Sequence, residues 1–218
     1  MKSQKYELLI FDLDGTLIES RWDIADSVNY VRNHLGFEPL DPEIIAGYIG
    51  DGIHLLMGRA LDTKDINMIE HSISVFRDHY WEHCMDKTFV YPGVRETLDH
   101  LIKTKILVIV SNKNEDFSRK LIEGFELDQY FSSIIGGDTL PHKKPDREVL
   151  AHILGLYHKT PDKTLMIGDS EIDIKAGKNA HIKTIAVTFG IGDRQKLFNA
   201  KPDFIIDSIG ELIQIVGK

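Results

Sequence analysis

Six short runs of aliphatic and β-branched residues recur along the chain, and each is largely apolar rather than alternating with polar positions. They are LLIF (8–11), ILVIV (106–110), SII (133–135), TLMIG (164–168), TIAVTF (184–189) and DFIID (203–207). Uniformly apolar strands are typical of sheets that are covered on both faces. Helical patterns separate the later runs, so strand and helix alternate. The chain is therefore predicted to fold as an α/β protein with a doubly wound parallel sheet.

A long helical segment interrupts this alternation. Almost a hundred residues separate the first apolar run from the second, far more than one crossover helix needs. Within them, two apolar stripes with helical spacing run along Ile24, Val28, Val31 and Leu35 and along Ile66, Ile69, Ile73, Phe76 and Tyr80. We predict a helical insertion over residues 18–87, within a Rossmann-like α/β core formed by residues 1–17 and 88–218.

Composition excludes several classes of partner. The chain carries 26 Lys and Arg against 34 Asp and Glu, a formal net charge of −8, so no nucleic-acid partner is expected. Its apolar runs are too short to span a bilayer, and acidic residues follow the N-terminus too soon for a signal peptide. Cys84 is the only cysteine, which fits a reducing compartment. We expect a soluble cytoplasmic protein with no membrane partner.

Polar side chains follow the predicted strands at the point where each strand ends. Parallel strands present their carboxyl ends at one edge of the sheet, where open α/β sheets bind ligands. The residues expected to meet there are Asp12 and Asp14 after the first run, Ser111 and Asn112 after the second, Lys143 and Lys144 after the third, and Asp169 and Asp173 after the fourth.

Several carboxylates held together repel one another unless a positive charge lies among them. A hard divalent cation with oxygen ligands supplies that charge, and Mg²⁺ takes one or two carboxylates while leaving positions for water and a substrate phosphate. The sequence therefore predicts a metal and phosphate site with Mg²⁺ as the cofactor, with Mn²⁺ as an alternative.

Four motifs in this order resemble those of the haloacid dehalogenase-like hydrolases. They are DLDGT (12–16), SNK (111–113), KPD (144–146) and GDSEIDI (168–174). The resemblance covers nearly the whole chain. It implies that the insertion over residues 18–87 is the small helical cap domain of that family, and that the protein is a phosphoric monoester hydrolase.

The resemblance also implies catalytic roles. Asp12 would be the nucleophile that forms an aspartyl-phosphate, and Asp14 would protonate the leaving alcohol and then activate water. Lys144 would neutralise the developing charge. Thr16 and Ser111 would hydrogen-bond the phosphoryl group.

Metal and substrate contacts follow from the same resemblance. Mg²⁺ would be held by Asp12, by the backbone carbonyl of Asp14 and by Asp169, with Asp173 in support. Asn112 and Lys113 of the second motif are predicted to contact the substrate or its phosphate.

The stretch YIGDGIHLLMGRAL (48–61) is similar to the cap sequence of the phosphoglycolate phosphatases in this family. A glycolate carboxylate needs a guanidinium, an ammonium or exposed backbone N–H groups. Arg59, the turn from Gly50 to Gly52, and Lys113 are the candidates, and His54 is expected near the cleft. The predicted partner is a small phosphorylated metabolite, with phosphoglycolate foremost.

Other functions stay open at this point. Within the same chemistry, the substrate could be pyrophosphate, a phosphosugar (for a phosphatase or a mutase) or a nucleotide. Outside it, the fold could serve a phosphate-accepting signalling receiver or a non-catalytic interaction protein. The expected oligomeric state is a monomer or a homodimer.

Overall fold

A computed structural model describes residues 6–217. The strands in this part of the chain are β1 (Leu8–Phe11), β2 (Ile18–Glu19), β3 (Phe89–Val90), β4 (Ile106–Val110), β5 (Ser133–Ile135), β6 (Thr164–Gly168), β7 (Lys183–Val187) and β8 (Phe204–Ile206). The α-helices are α1 (Arg21–His34), α2 (Pro42–Ala46), α3 (Ile53–Ala60), α4 (Ile66–His83), α5 (Val94–Leu101), α6 (Glu115–Gly124), α7 (Arg147–Leu156), α8 (Glu171–Asn179), α9 (Arg194–Asn199) and α10 (Leu212–Val216).

Six of the strands form one parallel sheet in the order β5, β4, β1, β6, β7, β8. β1 lies at its centre, where Leu8 is in register with Ile106 on one side and with Thr164 on the other. The chain winds outward from β1 in both directions, so the strand order reverses there and leaves a crevice at the carboxyl end of β1. The predicted doubly wound parallel sheet is confirmed.

Both faces of this sheet are covered, which explains the uniformly apolar runs. Leu9 and Phe11 belong to the hydrophobic cluster on one face, and Leu8 and Ile10 belong to the cluster on the other. All four side chains are fully buried. Alternate residues of a strand point to opposite faces, so a strand between two helical layers needs apolar residues at every position.

Helices α1 to α4 lie between β2 and β3, a short antiparallel pair that carries the chain out of the core and back. The predicted apolar stripes are buried at Ile24 and Val28 and at Ile73 and Tyr80, but Ile66 is 73% exposed. Ile66 is the first residue of α4, directly after the N-cap Asp65, and lies at the surface end of the stripe.

The domain limits at residues 17/18 and 87/88 stay a prediction. Residues 1–5 and 218 of the predicted core, and with them part of the predicted absence of a signal peptide, lie outside the described residues. Within residues 6–217, none of the helices combines the length and the hydropathy that crossing a bilayer requires.

The buried carboxylate of Asp23 holds the segment that follows α4. Asp23 accepts hydrogen bonds from the backbone N–H groups of Lys87 and Thr88, at 3.0 and 2.8 Å, and from the Thr88 hydroxyl at 2.7 Å. Asp23→Ala leaves these donors without their acceptor, so we expect it to lower the free energy of unfolding by about 2–4 kcal/mol in urea titrations. Asp26→Ala, which removes an exposed ion pair with Lys87, is the control and should cost below about 1 kcal/mol. Equal losses would contradict this role for Asp23.

Candidate active site

Three polar residues meet at the carboxyl edge of the sheet. Asp12 follows β1, Ser111 follows β4 and Asp169 follows β6, and all three are buried. They are neighbours because β1 pairs in parallel with both β4 and β6. The structure therefore brings together three of the strand-end residues that the sequence placed at one edge, whereas Lys143 donates to the Asp51 carbonyl at an exposed position.

Lys144 lies between two of the aspartates. Its ammonium Nζ is 2.9 Å from Asp12 Oδ1 and 2.7 Å from Asp173 Oδ1, and its side chain is almost fully buried. Burial acts to lower the pKa of Lys144, but the charges of Asp12 and Asp173 outweigh it and hold that pKa above its usual value. The ammonium is therefore charged at neutral pH.

Asp12, Asp169 and Asp173 form a carboxylate cluster in which one oxygen of each lies within 4.8 Å of the others. Burial, and next the charge of Asp173, raises the pKa of Asp12 to about 7 in spite of Lys144. Burial, followed by the charges of Asp173 and Asp12, raises the pKa of Asp169 to about 8. One ammonium does not balance three buried carboxylates, and an oxygen-preferring divalent cation fits this donor set.

The side chain of Asp14 points elsewhere. Its Oδ1 accepts a hydrogen bond from the Ser20 hydroxyl at 2.5 Å, and its Oδ2 is 3.2 Å from Lys113 Nζ. The metal role predicted for Asp14 involved its backbone carbonyl and stays a prediction. The sequence did not identify Ser20, which is the N-cap of α1 and whose side chain turns to Asp14 rather than to the helix.

Close backbone approach explains the glycine that follows Asp14. Gly15 has φ of +80°, and a Cβ there would lie 2.0 Å from Asp169 Oδ2. The same oxygen accepts hydrogen bonds from the backbone N–H groups of Ile191 and Gly192, each at 2.8 Å. The sequence did not identify the loop that carries Ile191 and Gly192, because this loop contributes backbone N–H groups that no side-chain pattern reveals.

Two predicted phosphate contacts present buried polar atoms with no hydrogen-bond partner in the described part of the chain. These are the Thr16 hydroxyl and Asn112 Oδ1. The amide nitrogen of Asn112 donates to the carbonyls of Gly50 and Lys144, at 2.9 Å each. Buried polar atoms in native proteins are normally paired, so both atoms are available to a ligand.

A cavity of about 70 Å³ opens on this site, between the core and the helical insertion. Asp12, Asp14, Ser111, Asn112, Lys113, Asp169 and Ser170 are among its polar lining residues. Its apolar lining residues are Ile24, Ile49, Ile53, Leu56, Phe76, Tyr80, Phe117 and Ile191, and Gly50 and Gly52 also line it. The insertion therefore supplies most of the apolar wall, and the core supplies the charged groups.

Tyr80 is a cavity residue that the sequence pattern assigned only to the core of the insertion. Its hydroxyl lies 3.0 Å from Lys113 Nζ, and the ammonium is 4.6 Å from the centre of its ring. Burial acts to lower the pKa of Lys113, but Asp14 and Tyr80 outweigh it and raise that pKa above its usual value. Lys113 therefore joins the core carboxylate of Asp14 to a helix of the insertion.

Arg59 and His54 are not brought to the cavity. Arg59 pairs with Asp51 at 2.6 Å, His54 lies 3.0 Å from Glu70, and both of these side chains are substantially exposed. Among the described residues, neither belongs to the cavity lining. The buried residues of α3 are Leu56, Met57 and Ala60, so the other helix faces carry Arg59 and His54 to solvent. The predicted substrate contact of Arg59 and the predicted position of His54 near the cleft therefore have no support in this geometry.

Comparisons with known proteins identify the family of this chain. A sequence model described as haloacid dehalogenase-like hydrolase matches residues 9–187. The phosphoglycolate phosphatase of Chromobacterium violaceum is 39% identical over 99% of both chains, and that of Aquifex aeolicus is 37% identical over 96% of both. The crystal structure of a predicted phosphoglycolate phosphatase from Haemophilus somnus 129pt superposes with a TM-score of 0.93 at 28% identity, covering 98% of this chain and 99% of that one. The resemblance drawn from the four motifs is confirmed, and the chain belongs to the haloacid dehalogenase-like hydrolase family.

Proposed function

We propose that this protein is a Mg²⁺-dependent phosphatase that hydrolyses a small phosphate monoester, foremost phosphoglycolate. The observation that carries the proposal is the placement of Asp12 beside Lys144, within a buried carboxylate cluster that opens on a small cavity. Phosphoryl transfer depends mainly on positioning and on neutralising charge, and this arrangement provides both. Relatives named phosphoglycolate phosphatase over nearly the full chain support the substrate.

In the first step, a carboxylate oxygen of Asp12 attacks phosphorus and the bond from phosphorus to the ester oxygen breaks. Asp14 gives its proton to the leaving oxygen, so an alcohol departs and an aspartyl-phosphate remains. In the second step, Asp14 takes a proton from water as the water oxygen attacks phosphorus, which releases phosphate and restores Asp12. Lys144 stabilises the phosphoryl charge, and Thr16 and Ser111 donate hydrogen bonds to its oxygens.

Asp12, Asp169 and the backbone carbonyl of Asp14 would hold Mg²⁺, with Asp173 in support through Lys144. The cation neutralises charge on the carboxylates and on the phosphoryl oxygens when it is bound. The raised pKa values of Asp12 and Asp169 fit a site of this kind, because both carboxylates are buried beside other negative charges. Mn²⁺ has similar oxygen preference and is the alternative metal.

The cavity favours a small organic ester among the possible substrates. Its volume of about 70 Å³ is far below the several hundred Å³ typical of pockets for larger ligands, which disfavours a nucleotide. Its apolar wall suits the organic group of an ester better than the second phosphate of pyrophosphate. A phosphosugar mutase is the remaining alternative within the family. No nucleic-acid or membrane partner is proposed, and the protein is taken to be a monomer or a homodimer.

The test is phosphate release with Mg²⁺ from phosphoglycolate, pyrophosphate, several sugar phosphates and nucleotides, with Asp12→Asn protein as the blank. We expect phosphoglycolate to lead in kcat/KM by about 100-fold, which corresponds to about 3 kcal/mol of transition-state discrimination. Weak turnover of every ester would remove the substrate assignment and leave the chemistry. A stable phosphoprotein without turnover would favour a signalling receiver, and no reaction at all would favour a non-catalytic interaction protein.

A further inference from the structure

The cavity contains one cationic side chain among the described residues that line it, and this is Lys113. Lys144 lies deeper and already contacts both Asp12 and Asp173. Arg59 is paired with Asp51 outside the cavity. An anionic group of a bound ester other than its phosphate would therefore have Lys113 as its cationic neighbour.

Lys113 is held in a nearly buried position with donor capacity to spare. Its Nζ contacts Asp14 Oδ2 at 3.2 Å and the Tyr80 hydroxyl oxygen at 3.0 Å, and only 9% of its side chain is exposed. An ammonium has three N–H groups, and these two contacts account for two of them. The third can donate to a ligand oxygen in the cavity.

Tyr80 fixes the ammonium from the side of the insertion. Its ring is fully buried, with Phe76 stacked at 5.1 Å and Phe117 edge-on at 5.0 Å between ring centres. Burial raises the pKa of Tyr80 above its usual value, so the hydroxyl is neutral. Because its oxygen accepts from Lys113, its own hydrogen is free to donate to an acceptor in the cavity.

We propose that Lys113, positioned by Tyr80, binds a carboxylate of the substrate and makes the enzyme selective for phosphate esters of 2-hydroxy acids. This inference rests on the proposed phosphatase function and names the group that recognises the substrate. Glycolate is the smallest such acid. The Tyr80 hydroxyl provides a second donor to the same carboxylate, so the pair joins one group from the core to one from the insertion.

The position of Asp14 sets how far this carboxylate lies from the phosphate. A general acid must come within about 3 Å of the ester oxygen that it protonates. Lys113 Nζ is 3.2 Å from Asp14 Oδ2, so the ammonium lies at most roughly 6 Å from that ester oxygen. A carboxylate one carbon away from the ester oxygen falls within this span and reaches the ammonium at hydrogen-bond distance.

The test compares phosphoglycolate with its amide, 2-phosphooxyacetamide, which has the same shape but no carboxylate charge. In the wild type we expect kcat/KM for phosphoglycolate to exceed that for the amide by about 100-fold, as suits a buried charge-assisted contact. Lys113→Met should reduce this ratio at least tenfold, and Tyr80→Phe, which keeps the ring and removes the hydroxyl, should reduce it about threefold or more. Arg59→Met is the matched control and should leave the ratio unchanged.

The ratio separates substrate recognition from a structural effect, because a variant that only disturbs Asp14 or the fold slows both esters alike. Equal losses with both esters in Lys113→Met, or a collapse of the ratio in Arg59→Met, would overturn the inference. A wild type that hydrolyses both esters equally would also overturn it while leaving the phosphatase function standing. If the wild type hydrolyses neither ester, the proposed phosphoglycolate phosphatase function fails. The role of Lys113 is then tested by calorimetry, which compares the binding of phosphoglycolate to the Asp12→Asn protein with its binding to the Asp12→Asn, Lys113→Met protein. Equal affinities would show that Lys113 does not bind the carboxylate.

Discussion

Asp12→Asn is expected to lower phosphate release by at least about 10³-fold while leaving the protein folded. The amide cannot attack phosphorus, although it can keep the hydrogen bond that Asp12 Oδ1 accepts from the Leu13 N–H. Steady-state release of phosphate from phosphoglycolate with Mg²⁺ measures the loss of activity. Acid quenching during turnover tests for the intermediate, since only the wild type should carry phosphate on an aspartate.

Stability should move in the opposite direction to activity. The pKa of Asp12 is raised from 3.8 to about 7, chiefly by burial, so its ionised form destabilises the fold and stability falls as the pH rises through about 7. Asn at this position carries no charge. In EDTA at pH 8, Asp12→Asn should therefore melt at the same temperature as the wild type or higher. Asp26→Asn, at an exposed carboxylate, is the matched control and should keep full activity. Retention of more than about 1% of the activity by Asp12→Asn would rule out Asp12 as the nucleophile.

The sequence predicted the sheet well because the strands of a parallel sheet are buried on both faces. LLIF has no polar position that could face solvent, and it is the central strand. Strand ends were less well defined: the run TIAVTF was extended to Phe189, whereas β7 ends at Val187. The predicted apolar stripe of α4 has the correct helical spacing, but its first residue, Ile66, is exposed. Periodicity alone does not tell where the buried part of a helix begins.

The core half of the site was predictable for a related reason. Asp12, Ser111 and Asp169 each directly follow a strand, and parallel strands end at a common edge. The half that faces the insertion was not predictable, because it depends on how α4 packs against the core. Tyr80 fits an apolar stripe by its ring, while only its hydroxyl reaches Lys113.

Arg59 illustrates why a sequence motif alone does not determine which side chains line a site. The resemblance over residues 48–61 selected it as a substrate contact, and Gly50, Gly52 and Leu56 of the same stretch do line the cavity. Its guanidinium instead pairs with Asp51. A charged side chain on a helix next to a cleft has several exposed partners within reach, so the motif alone does not determine which of them it meets.

Lys144→Met is expected to lower the free energy of unfolding by about 3–5 kcal/mol in EDTA at pH 8. Methionine has nearly the length and volume of the lysine stem, so the packing loss is small. The main effect is electrostatic, because Asp12 and Asp173 would face each other in a buried site without the ammonium that now contacts both. Urea titration measures the loss, and phosphate release should fall in parallel, since the phosphoryl charge loses its stabilising cation.

Three comparisons separate this electrostatic cause from a packing defect. Lys143→Met changes the neighbouring lysine, whose Nζ donates at 2.9 Å to the Asp51 carbonyl at an exposed position, and should cost below about 1 kcal/mol. Mg²⁺ should restore part of the stability of Lys144→Met because it places positive charge among the same carboxylates. Adding Asp173→Asn should restore stability as well, since it removes one of the two unpaired charges. If the double variant were no more stable than Lys144→Met alone, repulsion between the carboxylates would not be the main cause of the loss.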